Sequence, residues 1–470
     1  MTLQDYLKAE GYDTSVRTDW DKNVHVWRSW YDGKVDKFHK YFIYNGRRRV
    51  PQERLSMQMA KKSCEDWADQ LFNERAEIAV NDSASQKQLD ELLSRADFRL
   101  LVNEGVEQSG AVGTVGFVVS VCDLQYDTVQ GTIDVSRAEP RLEIVDYDSI
   151  YPLSWTGRVV TECAFSASRT IRGKKYVFLS MHKKNAAGNY VIRNVAFSDN
   201  NGSLTEINMN GLSREFDTKS PSPWFALLTP AGASNSMRGL PWGLPYFAQA
   251  IDTMKALDTA YDSLNTEILL GRRRIFARAD LLQENITGEK VFDDSDIAIY
   301  ALPHGLNQDD LLQTEAHELR CEALIKSIEF DLNLFSTQVG FGKSHYRFTD
   351  PTQQTATAVV SADSAMQRRR VKHQTPLLKA VDTLVRALAY AATAFGRYSI
   401  NLDGLTITMP DDVVEDTEAK AQRAIREVSA KIRSRAEYRE DIFGDSPEAA
   451  KEAITAIDEM EPSLERLIGG

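Results

Sequence analysis

The 470-residue sequence predicts an α+β protein, and three patterns predict it. The first 100 positions read as helical, with apolar residues over 52–73 recurring mostly at steps of three and four, the period of one helix face. Residues 111–228 switch to short runs rich in Val, Ile, Phe and Tyr, separated by turn clusters. Beyond them, two long helical patterns flank one small β-rich segment.

The elements follow in chain order. Residues 24–32 are aromatic-rich, with His25, Trp27, Trp30 and Tyr31, and read as helix. Residues 52–73 place Leu55, Met59, Ala60, Cys64, Trp67, Leu71 and Phe72 on one face of an amphipathic helix. Residues 110–116 are glycine-rich and read as a strand start. Strands are expected over 113–121, 141–145, 159–168, 175–181 and 190–197. Ala187-Gly188-Asn189 and Asn200-Asn201-Gly202 are the turns between antiparallel strands.

Pro241 and Pro245 bracket a helix start, where proline is tolerated. Leu244, Phe247, Ile251, Met254, Leu257, Tyr261, Leu264 and Ile268 then predict a helix over 244–270. It would be about 27 residues and about 40 Å long, against a mean of about 11–12 residues. Gly271 ends it. Strands are expected at 275–278 and 297–302, with the acidic turn Asp293-Asp294-Ser295-Asp296 between them. A second helix over 314–338 carries Leu319, Leu324, Ile328, Leu332 and Phe335. The simplest geometry is an antiparallel helix pair with a small domain at its tip.

Residues 339–354 break the helical pattern through Gly340, Gly342 and Pro351, and carry Lys343, His345 and Arg347 as charges. A very long helix over 355–395 follows, with Pro376 inside it. An interior proline costs on the order of 3 kcal/mol and usually kinks the helix, so a kink is expected there. A strand over 405–409 comes next. Residues 411–470 are helical and acidic, with 9 Lys+Arg against 16 Asp+Glu. Ser446-Pro447-Glu448 opens the second helix of that region.

Composition narrows the function. Length alone suggests about three domains, or one large elaborated one. Hydrophobic residues are 42% and charged residues 26%, which excludes a disordered chain, a collagen-like fibre and a disulfide-stapled miniprotein. The net charge is −12, from 56 Lys+Arg and 68 Asp+Glu. That disfavours a DNA-coating protein but not one past which DNA must slide. Cys64, Cys122, Cys163 and Cys321 form no C-x-x-C pair, so they read as mostly buried free thiols in a reducing compartment. The N-terminal residues do not read as a signal peptide, and no run of about 18 apolar residues marks a membrane span.

Catalytic motifs are missing from the sequence. Gly342-Lys343-Ser344 ends like a phosphate loop, but that loop needs a glycine where Thr337 stands, and it should follow a strand. The seven His sit in no zinc spacing, and the 293–296 carboxylates match no EF-hand. No G-x-S-x-G elbow is present. No catalytic residue, metal or cofactor is expected.

Two cationic segments remain. The 339–354 loop is polar, about 15 residues long and set between long helices, which fits a functional loop or an ordinary surface connection. Its cations could meet a phosphate backbone without reading sequence. Arg272-Arg273-Arg274 reads either as a second cationic patch or as the complement of a helix C-terminus.

The order of parts resembles a tailed-bacteriophage portal protein, of the group that infects Gram-positive hosts. Trp27-Arg28-Ser29-Trp30-Tyr31-Asp32-Gly33, followed by His39-Lys40-Tyr41, is similar to that family's W-x-x-W-Y-x-G segment. Met59-Ala60-Lys61-Lys62 with Asp66-Trp67-Ala68-Asp69-Gln70-Leu71-Phe72-Asn73-Glu74 resembles its "MAK…DWADLLFNE" helix. Tyr151-Pro152-Leu153-Ser154-Trp155, closing on Ala164-Phe165, fits the family's β region. Thr355-Ala356-Thr357 resembles the "TATEV" start of its long helix, with Ala358 in place of the usual Glu. The likeness covers nearly the whole chain.

The resemblance implies a portal fold and a set of boundaries. Residues 1–243 would be the N-terminal part of an α/β wing, 244–270 the first stem helix and 271–312 a small α/β clip. Residues 313–338 would be the second stem helix and 339–354 a tunnel loop around DNA. Residues 355–410 would return to the wing, and 411–470 would be a helical crown. Lys343, Ser344, His345, Tyr346 and Arg347 would then face the DNA channel, and Arg272, Arg273, Arg274 and Arg278 the clip and stem base.

The implied assembly is a ring of twelve in the virion, with thirteen as a recombinant alternative. It would form in the host cytoplasm and sit at the portal vertex of the capsid. Its partners would be double-stranded DNA held without sequence preference, the terminase large subunit, a head-tail adaptor, and the major capsid and scaffold proteins. ATP use would belong to the terminase. The alternative class is another phage minor head or connector protein.

Overall fold

The computed structural model describes residues 1–44, 48–73, 75–122, 125–127, 132–134, 138–209, 212–235, 237, 239–271, 274–278, 299–302, 312–315, 319–343, 345–347, 356–395, 398–409, 424–430 and 432–468. The chain divides into two units, Met1–Met409 and Pro410–Gly470.

The first unit opens with α1 (Leu3–Ala9), α2 (Val16–Tyr31) and α3 (Asp36–His39), then the hairpin β1 (Lys40–Tyr44) and β2 (Arg49–Glu53). Next come α4 (Met59–Leu71), β3 (Glu77–Ala79), α5 (Ser83–Arg95) and α6 (Phe98–Val112). Eleven strands follow: β4 (Val115–Cys122), β5 (Gln125–Asp127), β6 (Thr132–Asp134), β7 (Glu139–Val145), β8 (Ile150–Thr156), β9 (Val159–Ile171), β10 (Lys174–Lys184), β11 (Tyr190–Asn200), β12 (Ser203–Ile207), β13 (Glu215–Asp217) and β14 (Phe225–Leu228). The unit continues with α7 (Ile251–Leu270), β15 (Arg274–Arg278), β16 (Ile299–Leu302), β17 (Leu312–Glu315), α8 (Cys321–Val339), α9 (Ala356–Ala394) and β18 (Thr406–Thr408). The second unit contains α10 (Arg435–Phe443) and α11 (Pro447–Ile468).

The α+β expectation holds. Strands β8 to β12 form one antiparallel sheet in sequential order, with β13 added against β11, and β14-β4-β7 form a second. The expected turns are where the sequence places them: Gly188 at φ 85°, Asn201 at 53° and Gly202 at 89° close hairpins in the left-handed region.

Five expectations need correction. The 52–73 helix starts only at Met59, because residues 49–53 pair with 40–44 as β2. The glycine-rich 110–116 segment is a helix end before it is a strand. Gly113 caps α6 at φ 86°, and β4 begins at Val115. The 244–270 helix begins at Ile251. Its would-be first turn is spent elsewhere: Tyr246 N–H donates to Gly110 O at 2.9 Å. Gly243 lies so close to Gly113 that a Cβ there would sit 2.2 Å from the Gly113 oxygen. The 314–338 helix begins at Cys321, because residues 312–315 pair antiparallel with β15. Among the described residues the small module therefore shows three strands, with β15 also parallel to β16, where two were expected. The acidic turn at 293–296 lies outside the described residues.

Helices α7 and α8 are antiparallel. Thr253 near the start of α7 donates to Gln338 near the end of α8 at 2.8 Å. At the other end Arg320 forks onto Glu267, at 3.1 and 2.9 Å. Helix α9 runs continuously through Pro376, which has no N–H to give the carbonyl four residues back.

The larger core cluster joins the N-terminal helices, the β14-β4-β7 sheet and α7, α8 and α9, and a second packs Tyr6 and Leu7 of α1 on the β8–β12 sheet. Trp20 and Trp242 stack within the larger one at 3.8 Å and 11°. Trp242 Nε1 donates to Val16 O at 2.7 Å, so the buried indole N–H is satisfied. In the second unit, Ser446 caps α11 through the Ala449 N–H at 3.3 Å, as expected.

Candidate functional site

The loop after α8 is built around two glycines. Gly340 has φ 101° and Gly342 φ 84°, backbone that side chains other than glycine rarely adopt. A Cβ on Gly340 would also meet Arg369 Nε at 2.8 Å. Ser336 ties off the helix end. Its carbonyl accepts from Gly340 N at 3.1 Å and Phe341 N at 3.0 Å, and its hydroxyl donates to Gly342 O at 2.6 Å.

Helix α4 supplies the socket for this loop. Its apolar stripe buries Met59, Ala60, Cys64, Trp67, Ala68 and Leu71. Trp67 Nε1 donates to Val339 O at 3.1 Å. The Phe341 ring stacks on Trp67 at 4.5 Å, and His345 stacks on the other side of Phe341 at 4.3 Å and 8°. Tyr346, only 9% exposed, packs against Phe335 and Phe341 and donates its hydroxyl to Asp66 Oδ2 at 2.8 Å. Asp66 is itself paired with Lys62 and lies 4.0 Å from His345.

This geometry sorts the expected loop residues. Lys343 and Arg347 are exposed. Tyr346 is turned inward as an anchor, so in this chain it is not an exposed contact. Burial lowers the His345 pKa below its ordinary value, with Asp66 pulling upward and Lys62 downward. The ring is therefore neutral at pH 7, and the loop carries two cations rather than three. Burial, followed by Asp66, pushes the Tyr346 hydroxyl far above the usual phenol range. Ser344 lies outside the described residues, as do Arg272, Arg273, Glu74 and Thr355. Arg274 and Arg278 are the first and last residues of β15, paired with Glu315 and Leu302 in register. Thr357 lies in the first turn of α9.

The other expected motif residues are spread through the fold. Trp27 and Trp30 are buried in the main core. Tyr31 donates to Glu107 at 2.5 Å, and Lys61 reaches the same carboxylate. Asn73 Oδ1 accepts from Arg75 N at 3.0 Å beyond the end of α4. Tyr151 lies under the Arg17 guanidinium at 4.4 Å. Pro152 and Trp155 lie on β8, where the register shifts between Pro152 and Ser154 and again before Trp155.

Sequence reasoning missed the acidic anchors. Asp258 and Asp262, one turn apart on α7, hold the 39–57 segment. Asp258 accepts from His39 Nε2 at 3.1 Å and Met57 N at 2.8 Å. Asp262 accepts from Tyr41 OH at 3.2 Å and Leu55 N at 3.3 Å. His39 Nδ1 accepts from Val35 N at 3.0 Å, which puts the ring proton on Nε2 and makes Asp258 the acceptor. The signal was the i, i+4 carboxylate pair Asp258 and Asp262 on α7.

Among the described residues, no three His, Cys, Asp or Glu side chains gather as a metal site would need. Among those residues, too, no helix is long and apolar enough to cross a membrane. A groove of about 640 Å³ beside Pro376 is walled by Phe225, Leu227 and Pro241. Arg158 on its rim donates to backbone oxygens of Gly232 and Pro230, at 2.6 and 3.1 Å.

The family model "Phage portal protein, SPP1 Gp6-like" matches residues 228–463. No curated protein matches the chain. Among solved structures, a chain described as "Neck of native GTA particle computed with C12 symmetry" aligns over 82% of this chain and 88% of its own length. Its identity is 11% and its TM-score 0.35.

Proposed function

The chain belongs to the SPP1 Gp6-like phage portal protein family, a structural family of the virion, and from that premise we propose that it forms a ring of about twelve copies that conducts double-stranded DNA. The ring sits at one capsid vertex, passes the genome inward during packaging and outward at ejection, and docks the terminase large subunit and the head-tail adaptor. Its phage, in this reading, infects a Gram-positive host, as do the phages whose portals the sequence resembles. In this reading α7 and α8 are the stem, β15 to β17 belong to the clip, residues 339–354 are the tunnel loop, α9 belongs to the wing and residues 411–470 are the crown.

One observation carries the reading. An antiparallel helix pair, pinned by Thr253–Gln338 at one end and Glu267–Arg320 at the other, leads straight into a loop with exposed Lys343 and Arg347. Charge agrees with it. A conduit needs weak, sequence-blind phosphate contacts, because each one must be broken as DNA advances. Two exposed cations per copy against a chain of net charge −12 meet that need.

Native mass spectrometry with negative-stain electron microscopy tests the assembly. A ring of about twelve or thirteen copies with a central hole is expected. A stable monomer or dimer over a wide range of salt and protein concentration would sink it.

A further inference from the structure

Hairpin β1–β2 has the wrong surface for a free ribbon. A two-stranded hairpin is marginal in water by itself, yet Phe42 and Tyr44 are each 67% exposed. Strand alternation explains which way they face. Tyr41 points to α7, where its hydroxyl meets Asp262, so Phe42 and Tyr44 lie on the opposite face. Their cross-strand partners Pro51 and Arg49 lie there too. Residues 40–54 carry Lys40, Arg47, Arg48, Arg49 and Arg54 against Glu53, a net of +4 in a chain of −12.

Helix α8 presents the complement. Arg320 and Gln338 mark its edge toward α7. At about 100° per residue, Glu322, Ile325 and Glu329 lie roughly half a turn away from that edge. Ile325 is exposed on this arc, and Phe330, about 100° further round the helix from Glu329, is 68% exposed. That outward arc carries Glu322 and Glu329 against Lys326, a net of −1, while Asp331 lies back near the edge toward α7. Around α7, Asp258 and Asp262 face the hairpin, while Thr253 and Glu267 face α8 on the other flank.

We propose that the outer face of hairpin β1–β2 docks on the acidic, apolar edge of α8 in a second copy of this chain. The order hairpin, α7, α8 keeps the two surfaces apart within one copy and makes the contact between copies head-to-tail. Repetition of such a contact closes a ring or runs into a filament. The proposal rests on the ring reading above and assigns it a subunit contact.

The test starts from the wild-type ring. Phe42→Asp with Tyr44→Asp, both exposed, keeps the wild-type far-ultraviolet circular dichroism and converts rings to monomers. Arg49→Glu weakens assembly, and adding Glu322→Arg restores it. In a Cys122→Ser, Cys321→Ser background, Phe42→Cys with Ile325→Cys gives a ladder of oxidised multimers, and neither cysteine alone does. Rings that persist in the aspartate variant, with no ladder, overturn the docking surface and leave the portal ring standing. A wild-type chain that never assembles overturns both.

Discussion

The Tyr346 hydroxyl donates to the Asp66 carboxylate at 2.8 Å, across 280 positions of sequence. This bond, the Trp67–Val339 bond and the Trp67–Phe341–His345 stack fasten the loop after α8 to α4. The loop's two exposed cations are thus mounted on a packed base rather than on a free segment. A hydrogen bond to a charged acceptor contributes about 1.5–3 kcal/mol. Tyr346→Phe therefore lowers the unfolding free energy by about that amount and raises the rate of proteolysis within 339–347. Denaturant melts and limited proteolysis read both effects. An unchanged cleavage rate would mean that the aromatic stack alone holds the loop.

Gly340 makes a second demand on the same loop. Gly340→Ala combines a φ of 101° with a Cβ 2.8 Å from Arg369, whereas Gly173→Ala has φ 77° and open space around it. Left-handed strain alone costs roughly 1 kcal/mol. The Gly340 variant is expected to lose clearly more stability than the Gly173 variant, with thermal denaturation of the two proteins as the comparison. Equal losses would show that Arg369 moves aside freely.

Acid lability follows from two buried imidazoles. His182 packs between Phe165 and Phe225, and burial pulls its pKa down to about 3. Burial, then Arg369 and Lys372, pulls His373 down to about 3 as well. His373 Nδ1 accepts from Ala231 N at 3.0 Å, which fixes the neutral form. In the unfolded chain both titrate near 6.5. The unfolded state thus binds more protons than the native state below that pH, so stability falls as pH drops from about 6.5 toward 3. Each group contributes on the order of a few kcal/mol over that window. Unfolding free energy measured against pH should be steeper in the wild type than in His182→Leu. Parallel curves would mean that His182 is already accessible to protons in the native state.

The sequence was most legible where local signals and the fold agree. The long helix through Pro376, the hairpin turns at Gly188 and Gly202 and the stem-like helix pair all follow from periodicity and turn chemistry. It was least legible where a distant segment claims the backbone. Thr314 and Glu315 read as the start of a helix until β15 pairs with them, and the first turn before α7 is lost to the Gly110 carbonyl. The same limit applies at the site. Lys343 and Arg347 could be read as exposed cations, but an aromatic between charges gives no sign of facing inward, and Tyr346 does so because Phe335, Phe341 and Asp66 receive it. Hairpin β1–β2 was hidden because nothing in residues 40–53 alternates cleanly between buried and exposed.

The two remaining loop cations give the last prediction. Lys343 and Arg347 are exposed, so replacing both with alanine leaves stability within about 0.5 kcal/mol of the wild type. If they touch passing DNA, the double variant assembles normally but packages less DNA per capsid. The deficit should widen at low salt, where phosphate contacts are strongest in the wild type. Adding His345→Ala should deepen the defect only through loss of the Phe341 stack, because a neutral ring brings no charge to the channel. Full packaging by the Lys343→Ala, Arg347→Ala protein across the salt series would remove the loop cations from the DNA path.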